Sequence, residues 1–209
     1  LGLPDRGRRL AADARQHAPV REVQSRGSNV ITLLASRKMG REIATESRTV
    51  EYAAALNHEV EPQVLEYYPQ PCTLKLELVD PETGEVHAIE HTPDFLVITR
   101  RHVLLQEWKT EEKLLHLARK FPWRYQKEGD RWRSHQIEQS LAEMGIAYEV
   151  HSGAEIPKNR TKNWEILEDY LHVGAPAACA TVIAQLKRGL ARHAALSVGD
   201  LLDAPFQFL

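Results

Sequence analysis

The stretch HTPDFLVITRRHVLLQEWKT, residues 91–110, decides how this chain folds. Residues 92–98 and 102–109 read as two buried strands joined at the basic pair Arg100-Arg101. Strand side chains alternate between faces, so Val103, Leu105, Glu107 and Lys109 project on one side and Trp108 on the other, toward a core. Asp94 stands at the head of the first strand and reaches the same sheet end if the two strands pair. A carboxylate and an ammonium on an otherwise apolar face must pair, hold a metal or meet solvent, because bare burial of charge is costly. Two carboxylates converging there make a hard, oxygen-rich site suited to Mg²⁺. A lysine beside them can position or deprotonate a water, or stabilise charge on a phosphorane.

Outward from this hairpin, the pattern alternates between helix and strand. Residues 45–58 read as a helix with Thr45 as N-cap. Residues 70–80 read as a strand, DPETG (80–84) as a turn, and VHAIEH as the return strand. Helices are expected at 111–120 and 131–144, the second stopping at Gly145. IAYEVHS (146–152) reads as a further sheet strand after a crossover helix. Residues 159–172 read as an amphipathic helix, and an Ala/Leu-rich helix is expected from 175 to 193. LSVGDLLDAPFQFL (196–209) opens like another helical unit. The expected fold class is α/β, a mixed β-sheet flanked by helices with a helical C-terminal extension. The expected partition is a basic N-terminal arm at 1–40, a catalytic domain at 41–173 and a helical segment at 174–209. Within the arm, Arg6, Arg8, Arg9, Arg15, Arg21 and Arg26 outweigh Asp5, Asp13 and Glu22, and the reading is a loosely packed extension.

The bulk numbers exclude little but useful classes. At 209 residues the chain can bury a core without disulfides. No apolar run approaches about 18 residues, so no membrane span is expected. Only Cys72 and Cys179 are present, too few for a disulfide framework or a structural zinc site, so a reducing, cytoplasmic compartment is expected. The net charge of −2 does not advertise a nucleic-acid binder, but charge is local. Between 113 and 133, Lys113, Arg119, Lys120, Arg124, Lys127, Arg131 and Arg133 face only Glu128 and Asp130. Trp123, Tyr125 and Trp132 lie among them. Such a stretch can contact DNA phosphates beside a catalytic site, or form a solvated surface. Lys158, Arg160 and Lys162 form a smaller candidate. HAIEH (87–91) spells the inverted zinc-peptidase signature, which needs a helix; its place after a turn and before Pro-Asp puts it on a strand. His135 and His151 read as structural or surface groups, and Cys72 as a small core residue.

Pro93-Asp94, twelve residues, then Glu107-Trp108-Lys109 resembles the PD-(D/E)xK nuclease superfamily. Further blocks resemble the TnsA family, the endonuclease subunit of Tn7-like heteromeric transposases. These are Ser47 with Glu51, Glu61-Pro62-Gln63-Val64, Gln70-Pro71, HTPDFLV, QEWK, HSGAEI and NRTKNWEIL, in order over about residues 41–171. The resemblance implies a restriction-endonuclease-like core, Mg²⁺ (Mn²⁺ substituting) and hydrolysis at the 5′ ends of a transposon. It implies double-stranded DNA, a TnsB-like transposase and a TnsC-like AAA+ regulator as partners, in a bacterial, nucleoid-associated setting. It carries over Asp94 and Glu107 as metal ligands and Lys109 as the catalytic lysine. The third carboxylate is Glu51 or Glu46: spacing to Gln-Pro favours Glu51, and spacing to Ser47 keeps Glu46 open. On a helix the two would lie about 140° apart. The segment after about 174 resembles the start of a winged-helix-like domain. A stand-alone restriction or repair nuclease of the same superfamily, and a catalytically silent DNA-binding scaffold, are the alternatives.

Overall fold

A computed structural model of the protein describes residues 2–21, 31–167 and 179–193. The chain divides into two units, residues 1–168 and 169–209. In the first, the elements run α1 (Asp5–Gln16), β1 (Thr32–Ser36), β2 (Arg41–Thr45), α2 (Glu51–Val60), β3 (Val64–Pro69), β4 (Leu74–Val79), β5 (Val86–His91), β6 (Phe95–Thr99) and β7 (Val103–Lys109). They continue α3 (Glu111–Lys120), β8 (Gln126–Glu128), β9 (Arg131–Arg133), α4 (His135–Ala142), β10 (Ala147–Ser152) and α5 (Lys158–Leu167). In the second unit the described element is α6 (Ala180–Arg192). The C-terminal stretch expected as a further helical unit, residues 196–209, lies outside the described residues, as does the expected continuation of α5 to residue 172.

The α/β architecture is the expected one. A six-stranded sheet runs in the order β3-β6-β7-β10-β9-β8. It is mixed: β10 lies parallel to β7 and the other pairings are antiparallel. The parallel pair needs a crossover, which α3, the β8–β9 hairpin and α4 supply. β6 and β7 pair from Phe95↔Gln106 to Ile98↔Val103, and their alternation splits the core in two. Leu96, Ile98, Val103 and Leu105 pack in one cluster, with Leu114, Ile137 and Tyr148. Phe95, Val97 and Trp108 pack in the other, with Ala54, Ala55 and Leu56 of α2. Both faces are covered, so the central strands carry near-continuous apolar runs.

The helix over 111–120 has the expected bounds, capped by Thr110, whose hydroxyl accepts from the Lys113 N–H at 3.2 Å. Four expectations change. The N-terminal segment is not a loose arm: Gly7, Ala11 and Ala14 are buried on α1, one apolar stripe of small residues that lets the helix lie close to its support. A Cβ at Gly7 would collide with the Met144 carbonyl oxygen. Thr45 is not an N-cap but the last residue of β2, paired with Thr32; the chain turns over residues 46–50 before α2 begins at Glu51. Residues 131–133 are not helical. Gly129, at φ 60°, turns the chain so that β9 returns along β8, and Trp132 is buried between two more exposed arginines. Residues 64–69, left without a strand by the sequence pattern, form the edge strand β3 with Tyr67 and Tyr68 buried.

Candidate active site

The sheet end formed by β6 and β7 gathers charge. Asp94 sits one residue before β6. Its N–H donates to the Gln106 carbonyl at 2.9 Å, extending the β6–β7 ladder by one bond. Its Oδ2 then accepts from the Trp108 N–H at 2.6 Å, where a further strand residue would have offered a carbonyl. The Asp94 carboxylate is thereby fixed against the strand that carries Glu107 and Lys109. The Asp94 carbonyl in turn accepts from the Gln70 N–H at 2.9 Å. Gln70 is a non-glycine residue at positive φ, 43°. The Gln-Pro pair thus marks a strained corner that abuts the Asp94 strand.

Glu107 is 2% exposed. Three donors surround its carboxylate: Tyr148 at 2.7 Å, Tyr125 at 3.0 Å and 3.2 Å, and the Lys109 ammonium. Burial alone would raise this carboxyl. The Lys109 charge, the hydrogen bonds from Lys109 and Tyr148 and, in acid where it is protonated, His91 outweigh it and hold the group down at about 2. Burial likewise works against the Lys109 charge, but Glu107 and Asp94 outweigh it, so its ammonium is held above the usual lysine value. The Lys109 side chain remains 17% exposed, so solvent reaches this end of the pair.

Asp94 behaves oppositely. Burial pushes it up to about 7; Lys109 pulls it down, while the Glu51 and Glu107 carboxylates add to the rise. Glu51, the first residue of α2, is also raised by burial. The Glu46 backbone hydrogen bond works against that rise, and so does Lys109. The two candidates for the third carboxylate therefore occupy different places. Glu46 precedes the helix; its N–H donates to Glu51 Oε2 at 2.9 Å, and its own carboxylate faces Arg21 at 3.6 Å. The Glu51 carboxylate is the one within electrostatic reach of both Asp94 and Lys109.

The donor set fits a hard divalent cation. A carboxyl such as Asp94, which burial and neighbouring carboxylates leave protonated to near neutrality, is a group from which such an ion displaces the proton. Among the described residues no three His, Cys, Asp or Glu side chains stand in ready coordination geometry. The reason is visible at Glu107, whose lone pairs are taken by Lys109 and the two tyrosines. A divalent ion at Glu107 would have to compete there with Lys109 Nζ.

The basic stretch is divided by the structure. Lys113, Arg119 and Arg131 are exposed. Lys120 is exposed too, with Nζ 5.1 Å from the Phe121 ring centre. Lys127 is held to Glu111 at 2.6 Å and lies over the Trp132 ring. Arg124 turns inward: its Nη2 is 3.3 Å from His91 Nδ1 and its guanidinium lies over the Tyr125 ring at 5.1 Å. Lys158, Arg160 and Lys162 are exposed on α5. His87 and His91 lie on strand β5, where four residues span about 13 Å; His87 stacks on Trp123, so the zinc-peptidase spelling has no helix to work on. His135 bridges Glu128 and Glu138. His151 is bound by Glu149 and Glu155 and stacks on Trp108. Cys72 is half-buried, and burial pushes its thiol up to about 11.

Sequence reasoning missed His91, Tyr125 and Tyr148 as partners of Glu107. They come from β5, the loop after α3, and β10, and only the alternation of β10, which puts Tyr148 and Val150 on the buried side, hinted at one of them. Residues 61–164 match the family described as TnsA-like endonuclease N terminal. No curated protein matches the chain.

Proposed function

Residues 61–164 match the TnsA-like endonuclease N-terminal family, and on that premise we propose that the chain is an endonuclease that hydrolyses the phosphodiester at the 5′ ends of a transposon, as one subunit of a multi-protein transposase. The observation that carries the reading is the convergence of Asp94, Glu107 and Lys109 at one sheet end, with Glu51 beside them. An apolar sheet face gains nothing from such a group unless the charges act on a ligand.

Glu51, Asp94 and Glu107 are the residues that would hold Mg²⁺, or Mn²⁺ in its place. The ion, when bound, supplies Lewis-acid polarisation of a phosphoryl oxygen and a more acidic water. Lys109, partly open to solvent, is placed to orient the attacking water and to offset charge on the phosphorane. Tyr125 and Tyr148 hold the Glu107 carboxylate while Lys109 moves off it. Lys113, Arg119, Lys120 and Arg131 supply phosphate contacts that set the DNA on the site without reading its sequence. Sequence choice then falls to partners: a TnsB-like transposase that handles the 3′ ends, and a TnsC-like AAA+ regulator that links cutting to target choice. The segment 174–209 is proposed as the start of the unit that meets the regulator or DNA.

The test is cleavage of a duplex carrying both transposon ends, with the partner transposase present. Asp94→Ala and Lys109→Ala should each lower 5′-end cutting by about 10²–10³-fold, leaving 3′-end cutting by the partner in place. Cutting of 5′ ends at the wild-type rate by either variant would overturn the assignment.

A further inference from the structure

Behind Glu107 lies a set of buried groups that the reading above does not use. His91, at the end of β5, is 5% exposed. Each of its ring nitrogens has a partner: Nδ1 faces Arg124 Nη2 at 3.3 Å, and Nε2 faces Tyr148 Oη at 2.8 Å. Tyr148 Oη is 2.7 Å from Glu107 Oε2. The direction of every bond follows from chemistry. A guanidinium has donors only, so His91 Nδ1 must accept. The ring proton then sits on Nε2 and is donated to the Tyr148 oxygen. Tyr148 in turn gives its own proton to Glu107, which as a carboxylate can only accept. Doubly protonated His91 would set an N–H against the guanidinium, so the chain of bonds fixes one neutral tautomer.

We propose that Arg124, His91 and Tyr148 form a one-way hydrogen-bond relay that positions the Glu107 carboxylate, with Arg124 acting on the site through His91 rather than as a plain DNA-phosphate contact. The inference rests on the reading of Glu107 as a metal ligand. Arg124 touches both arms that hold Glu107, since its guanidinium also lies over the ring of Tyr125, the second hydroxyl donor. The relay spans three separate elements, β5, the loop after α3, and β10, and ends on β7. It is the kind of outer-layer support that keeps a ligating carboxylate in one orientation when an adjacent charge leaves. Here the charge that leaves is Lys109. These three are positioning residues; none needs to touch DNA or the reacting atoms.

Two readouts test this on the full-length chain. The first is nitrogen-detected NMR of the His91 ring, with no metal added. Wild-type protein should show protonated Nε2 and bare Nδ1. Arg124→Ala should turn this into a mixture of tautomers, and Arg124→Lys should restore much of it; Tyr148→Phe, in which Arg124 still faces Nδ1, should keep the tautomer and shift the Nε2–H signal that has lost its acceptor. An Nδ1–H tautomer in the wild type, or a ring signature indifferent to both substitutions, would overturn the relay. The second is Mn²⁺ affinity by calorimetry, where Tyr148→Phe should bind about 10-fold more weakly. Equal affinity would overturn the positioning role. Wild-type protein that takes up no Mn²⁺ would count against the nuclease reading instead, and the tautomer experiment alone would then judge the relay.

Discussion

Asp94→Asn should make the metal-free protein more stable, and by an amount that grows with pH. Asp94 is pushed from 3.8 up to about 7, by burial first and by Glu51 and Glu107 besides. Between these values the folded chain keeps a proton that the unfolded chain has shed, so stability falls as pH rises through this window and levels off above about 7. At about 1.4 kcal/mol per pH unit, the raised value costs about 1.5 kcal/mol at pH 5, where the folded chain keeps the proton, and about 4 kcal/mol at pH 8, where the buried group is ionised. Asparagine mimics the neutral form, and its carbonyl oxygen can still accept from the Trp108 N–H. The expected gain is therefore about 2.5 kcal/mol larger at pH 8 than at pH 5. Urea unfolding of both proteins in a chelating buffer at the two pH values measures it. Taking the difference matters: His151, held at about 9 by its partners Glu149 and Glu155 against the pull of burial, also loses stabilisation as pH rises, equally in both proteins. Glu107 titrates well below this range and contributes nothing to it. A difference that does not change with pH, or an Asn variant less stable than wild type at pH 8, would refute the account of Asp94 as a strained carboxyl. Added Mn²⁺ should stabilise the wild type and not the variant, because stability given up in the empty site is returned by the ligand.

Two further predictions concern packing and DNA. Gly7→Ala should destabilise the protein by about 1–3 kcal/mol in urea unfolding, because the new methyl meets a backbone carbonyl that cannot rotate away; an unchanged midpoint would mean that α1 is not docked through Gly7. Lys113→Ala, Arg119→Ala and Arg131→Ala should each reduce the salt dependence of duplex binding by about one unit of log–log slope. Lys127→Ala should reduce it less, since Glu111 already holds that ammonium. Equal slopes for all four would sink the division of the basic stretch.

The charged end of the sheet was legible because strand alternation is rigid. Once residues 92–98 and 102–109 pair, Glu107 and Lys109 must share a face and Asp94 must stand at their end. The helix at 111–120 was legible in its bounds, though its cap at Thr110 was not. What the pattern hid depends on contacts distant in sequence. α1 looked like a loose arm because its arginines drown a stripe of Gly7, Ala11 and Ala14, which means packing only when something lies against it. The β1–β2 hairpin was missed: β1 lay within the expected arm, and of β2 only Thr45 was assigned, to the start of the expected helix at 45–58. With Thr45 in a strand, Glu46 and Glu51 no longer share a helix, and the 140° argument between them lapses. Arg124 counted as one more positive charge in a basic run. Its inward turn toward His91, 33 positions earlier, leaves no periodic trace, and neither does the closure of Tyr148 on Glu107 across 41 positions.

The most direct test of the central claim is calorimetric titration of Mn²⁺ into the intact chain, with Asp94→Ala, Glu107→Ala, Glu51→Ala and Glu46→Ala in parallel. The account predicts binding by the wild type, its loss in Asp94→Ala and Glu107→Ala, weakening in Glu51→Ala, and near-wild-type binding in Glu46→Ala. Folded wild-type protein that binds no divalent ion, with or without duplex DNA, would contradict it and reduce Glu107 and Lys109 to a buried ion pair at a strand end.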